Sequence, residues 1–167
     1  MIRHRVRSCA FTLALLALLP HWCEAEARDS CPVTKPPSPA FVPPAPYPED
    51  RAPGQFLYGS PSLWVAIRPH WSAQPRHKAK LLYFRQGYDA VAEPNPRLSV
   101  VARRRDAPDP LVWAPHVKSI NVDHTVGNMF MLSEFNIPVS GCWEVSAHYE
   151  PAPDKAETLT FTVWVEP

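Results

Sequence analysis

From Gln55 onward, apolar and polar residues alternate over short runs that proline, glycine, asparagine and aspartate interrupt. Successive side chains on a strand point to opposite faces, so this alternation predicts half-buried strands. Leu63, Val65 and Ile67 share one face of a first run, and Lys80 to Arg85 forms a second. Leu98, Val100 and Ala102 alternate with Ser99, Val101 and Arg103 in a third. Met129 to Ile137 is a fourth, with Phe135 and Ile137 on one side before Pro138 ends it. Asp106 to Asn128 reads as loop-rich, with a short strand around Leu111 to Trp113.

The last third carries the clearest pattern. Trp143, Val145, Ala147 and Tyr149 fall on one face of a strand, and Cys142, Glu144, Ser146 and His148 on the other. Leu159, Phe161, Val163 and Val165 alternate in the same way with Thr158, Thr160, Thr162, Trp164 and Glu166. Two such strands predict a hairpin, joined by a long loop over Glu150 to Glu157 because Pro151 and Pro153 interrupt it. The phase puts Cys142 away from the Trp143 face, on the outer side with Trp164.

Upstream of the strands, Pro32 to Pro48 holds eight prolines, which favours extended polyproline II. The beginning of the chain reads as a secretion signal. Arg3, His4, Arg5 and Arg7 form a basic start, and Ala10 to Leu19 an apolar run half as long as a membrane span. Ala25 and Ala27 supply the small residues a signal peptidase accepts, which places cleavage after Ala27. A lipid anchor on Cys23 is disfavoured, because Pro20, His21 and Trp22 stand where a lipobox has small residues. The organisation is therefore a signal peptide (1–27), a proline-rich leader (28–54) and one β domain (55–167).

Cleavage changes both the charge and the cysteine count. It takes three of the 17 basic residues (Arg3, Arg5, Arg7) and two of the 16 acidic ones (Glu24, Glu26), leaving 14 of each. A neutral chain gives no reason to expect nucleic acid as a partner. Of four cysteines only Cys31 and Cys142 remain, and a single pair in an exported protein reads as a disulfide. Such a bridge would tie the leader across the outside of the hairpin and over Trp164.

The run Asn136 to Val145 (NIPVSGCWEV), followed by Leu159 to Val165 (LTFTVWV), resembles the C-terminal end of a family of uncharacterised bacterial exported proteins. Gln55 to Val65 and Arg97 to Asp106 are similar to that family's earlier strands. The resemblance implies an all-β fold, an immunoglobulin-like antiparallel sandwich, and export, often as a lipoprotein. It implies no activity and no site.

Candidate chemistry is sparse. His70, His77, His116, His124 and His148 lack the i, i+2 or i, i+4 spacing of paired ligands, so neither metal nor cofactor is expected. Asp123 and His124, with Ser119, Ser133 and Glu134 nearby, would need to converge to make a hydrolase. Arg103, Arg104 and Arg105 form the densest charge and could grip an anion, with Asp106 and Asp109 placed to neutralise them. Trp71 is the tryptophan expected to be exposed and able to stack on a ligand. The reading that follows is a secreted, non-catalytic binding or envelope-interaction module, meeting another envelope or extracellular protein or a glycan. The rival reading is an enzyme or metal protein with a site around His116 and His124.

Overall fold

The computed structural model describes residues 28–47, 53–68, 70–73, 79–108, 112–113, 117–120, 130–152 and 154–167. The strands are β1 (Phe56–Ser60), β2 (Leu63–Ile67), β3 (Trp71–Ser72), β4 (Ala79–Phe84) and β5 (Leu98–Arg104). They continue with β6 (Val112–Trp113), β7 (Val117–Ile120), β8 (Phe130–Phe135), β9 (Gly141–Ala152) and β10 (Lys155–Glu166). One sheet runs β1-β2-β4-β8-β7 and the other β3-β10-β9-β5-β6. Pairing is antiparallel except for β3, which lies parallel to the end of β10. Between β2 and β3 the chain leaves one sheet and joins the other.

The alternation places the core. Trp143, Val145, Ala147 and Tyr149 of β9 and Leu159, Phe161, Val163 and Val165 of β10 turn inward and are buried. They meet Leu63, Val65 and Ile67 of β2 with Leu81, Tyr83, Met131 and Phe135 from the facing sheet. Burial of this apolar surface is the main force holding the sheets together.

Three expectations about connections need correction. The hairpin has no long loop: β9 runs to Ala152 and β10 begins at Lys155. Glu150 and Pro151 together oppose Ala156 in a bulge, since Ala152 pairs with Lys155 and Tyr149 with Glu157. A proline has no N–H to give a ladder, and a bulge is where a strand tolerates one. The segment read as loop-rich contains β7, which pairs with β8. Trp71 lies in a short strand rather than in an open polar stretch.

The leader is packed on both sheets. Cys31 is bonded to Cys142, with Cα atoms 5.6 Å apart. Trp164 pairs in register with Cys142, and both are buried on the outer side of their sheet. Thr34 then docks on the open edge of β10. Its N–H donates to the Thr162 carbonyl at 2.9 Å, and the Thr162 N–H donates to Thr34 Oγ1 at 2.8 Å. Further on, the leader reaches the outer side of the other sheet, where Tyr47 meets Trp64 edge-on at 4.8 Å and Phe41 lies 5.7 Å from it. Trp64 also stacks on Phe84 at 5.7 Å. Tyr47, Leu57 and Trp64 form a second small core outside the sandwich. Gly59, opposite Trp64 at φ 135°, makes the approach possible, because a Cβ there would strike the Leu63 carbonyl and the Trp64 backbone.

Candidate functional site

A groove of about 460 Å³ opens at the edge of the sandwich where the chain crosses from β2 to β3. The size is in the range of small-molecule sites, roughly 300–1,000 Å³. Both the sandwich and the leader line it. Ile67 and Val163, both core residues, form its apolar base, with Phe56 and the half-buried Trp71 beside them. Val33, Thr34 and Pro36 of the leader close the opposite side. The disulfide and the Thr34–Thr162 pairing hold that side in place, so the groove exists only because the leader is strapped down.

Its polar groups fall into two sets. Glu166 is fully engaged: it meets Arg28 at 2.9 Å and accepts from Trp164 Nε1 at 3.1 Å. Lys35 and Arg68 also line the groove and have no ion-pair partner among the described residues. Asp29 and the exposed His70 complete the polar lining. Trp71 donates its Nε1–H to the Arg68 carbonyl at 2.9 Å, so the indole's one donor is already taken.

Of the residues singled out in the sequence, Trp71 belongs to this groove and the three arginines do not. Trp71 is half-buried, packed against the core, and less exposed than its polar neighbours suggest. Arg103, Arg104 and Arg105 lie on β5 and just beyond it, with β9 and β10 between them and β3. Nor do they act as one cluster. Arg104 grips Asp106 through Nε at 2.7 Å, and Arg105 reaches Glu144 at 2.9 Å. Arg103 is exposed beside Glu144, its register partner on β9.

Asp106 has a fixed role. Burial alone would raise its carboxyl pKa, but the hydrogen bond from Arg104 and backbone N–H groups, that of Cys142 among them, outweigh it and hold it below the ordinary carboxylate value. The pair lies over Gly141, whose φ is 135°, and a Cβ there would come within 2.7 Å of Arg104 Nε and 2.8 Å of Asp106 Oδ2. This contact joins the end of β5 to the start of β9, next to the disulfide.

The hydrolase candidates do not converge where they are described. Ser133 is buried in the core, whereas Glu134 points outward to Lys80 at 3.3 Å. His148 lies on the outer side of β9, between Thr158 and Glu150, each at 3.1 Å. Among the described residues no group of three His, Cys, Asp or Glu side chains could hold a metal ion. Cys23, His77, Asp109, His116, Asp123, His124 and the side chain of Ser119 lie outside the described residues. Among those described, no helix is long and apolar enough to cross a membrane.

Lys35, Arg68 and Phe56 carried no signal in the sequence. Lys35 is a lone cation in a proline run, and Phe56 and Arg68 flank strands as ordinary residues do. Only the fold brings them together.

No protein-family model matches the chain. No curated protein matches it either. Among solved structures it is similar to the crystal structure of a candidate lipoprotein from Bacillus anthracis. The identity is 17%, the match covers 72% of this chain and 84% of that one, and the TM-score is 0.38.

Proposed function

We propose that the protein is an exported, non-catalytic binding module on an immunoglobulin-like sandwich, and that the strapped groove is its recognition site. The observation that carries this is the groove itself: an apolar base with a tryptophan, two cations (Lys35 and Arg68) that have no ion pair among the described residues, and a covalently fixed leader along it. Binding sites are commonly concave and apolar with few polar groups, and here the leader along the groove is tied down at Cys31 and Thr34.

The strand order supports the immunoglobulin-like reading. β1-β2-β4-β8-β7 faces β3-β10-β9-β5-β6, and after β2 the chain switches sheets so that β3 pairs parallel with the last strand, β10. The disulfide fits an oxidising compartment, and the basic start and apolar run of residues 1–27 fit a secretion signal. Intact mass of the exported protein tests the export half. A chain beginning at Arg28 with no free thiol is expected, and a diacylglycerol mass on Cys23 would replace free secretion by membrane tethering.

The groove is tested by NMR titration of the oxidised protein with a panel of neutral sugars, acidic sugars and short peptides. Binding should move the indole signals of Trp71 and Trp164 and the amide of Thr34. Shifts confined to the outer face around Ser146, His148 and Thr160 would place recognition elsewhere and refute this site.

A further inference from the structure

We infer that the groove takes an acidic sugar, a mono- or disaccharide bearing a carboxylate, with its ring against Trp71 and its carboxylate drawn to Lys35 and Arg68. The inference rests on the binding reading above and names the ligand class for that same site.

Charge supplies the first argument. Arg28 and Glu166 neutralise each other, and Asp29 sets one negative charge against Lys35 and Arg68, which leaves the lining with one cation in excess. Several cations elsewhere are matched: Lys80 has Glu134, Arg85 has Glu93, Arg104 has Asp106 and Arg105 has Glu144. The groove is thus a place where positive charge faces an open volume, and a single carboxylate is what it lacks.

The remaining polar groups favour a sugar over a peptide. An extended peptide binds a sheet edge through main-chain ladder bonds. Here that edge is already taken: Thr34 occupies the Thr162 N–H and carbonyl, β3 pairs with Val165 and Glu166, and the Ala73 N–H donates to the Glu166 carbonyl. What remains suits a hydroxylated ring. The Trp71 indole, its N–H spent on Arg68, presents an aromatic face to the C–H side of a sugar. Asp29 can accept from sugar hydroxyls, and the Thr34 hydroxyl, which accepts from Thr162, still has its proton to donate.

The test uses the exported, oxidised protein with digalacturonic acid, its neutral counterpart digalactose, and glucose 6-phosphate, followed by NMR and by tryptophan fluorescence. Digalacturonic acid should shift Trp71 and bind at least about tenfold more tightly than digalactose, since a charge-assisted contact is worth roughly that factor. Lys35→Gln and Arg68→Gln, both surface changes, should each weaken the acidic sugar by about three- to tenfold and leave digalactose unaffected. Equal binding of digalactose would overturn the acidic specificity, while the groove would stand as a site. Preference for glucose 6-phosphate would overturn the carboxylate. Shifts in the groove from only the short peptides of the titration panel above would overturn the sugar. If no member of the panel moves the groove signals, both this inference and the binding reading fail.

Discussion

Thr34 and Thr162, 128 residues apart, exchange two hydrogen bonds, and through them a proline-rich segment closes the exposed edge of a β-sandwich. An open strand edge invites pairing with another chain, and natural proteins cover it. Thr34 does so with one backbone donor and one hydroxyl acceptor. Thr34→Val keeps the shape and removes the acceptor, leaving the Thr162 N–H without a partner. The cost should be about 1–2 kcal/mol in chemical denaturation, with faster hydrogen exchange confined to Thr162 and its neighbours. Unchanged exchange at Thr162 would show that the hydroxyl does not hold the edge.

The Cys31–Cys142 bridge spans 111 residues of chain. Replacing both cysteines by serine should lower stability by about 2–5 kcal/mol. Freed at one end, the leader should also uncover Trp164, seen as a red shift in its emission and a new response to aqueous quenchers. Stability lost without a change at Trp164 would mean that the non-covalent contacts hold the leader unaided.

Tyr47 separates packing from hydrogen bonding in the second small core. Its ring meets Trp64, and its hydroxyl donates to the Arg85 carbonyl. Tyr47→Phe should cost about 1 kcal/mol and Tyr47→Ala about 3 kcal/mol or more, because only the second leaves Trp64 partly bare. Equal losses would assign the anchoring to the hydroxyl alone.

Asp106 makes stability depend on acid. Its folded pKa lies below the ordinary value of 3.8, so its stabilisation is present above that value and is lost as pH falls through the lower, folded one. Unfolding free energy should therefore decline below about pH 4, and Asp106→Asn should reduce that slope. An unchanged slope would assign acid sensitivity to other carboxylates.

Gly141 tests the same corner sterically. Gly141→Ala meets both a positive φ and the Arg104–Asp106 pair, and should cost about 1–3 kcal/mol. Adding Arg104→Ala and Asp106→Ala should remove the steric share and leave the backbone share.

Much of the sandwich could be read from the chain before any coordinates. The inward faces of β2, β5, β9 and β10 follow from period-two alternation, which depends only on neighbouring residues and the pleat of a strand. The outward phase of Cys142 with Trp164 followed from the same rule, and with Cys31 as the remaining thiol it pointed to a leader crossing the hairpin's outer side. The short strand around Leu111 to Trp113 was legible and appears as β6, but β3 and β7 were not, because two or four residues fix no period. The tight β9–β10 turn was hidden by Pro151 and Pro153, the first of which a bulge accommodates.

The site was decided by tertiary structure. A polyproline segment makes no ladder of its own, so nothing local in Pro32 to Pro48 says where Thr34 and Lys35 will rest. Their position depends on an edge at Thr162 and a thiol at Cys142, both more than a hundred residues away. The arginine triplet shows the converse. Its density is plain in sequence, yet Asp106 and Glu144 take up two of the three charges once the strands pair. Lys35 and Arg68, unremarked in the chain, line the groove and have no ion pair among the described residues. Alternation tells each residue which side of its own strand it occupies, and only packing decides what lies on that side.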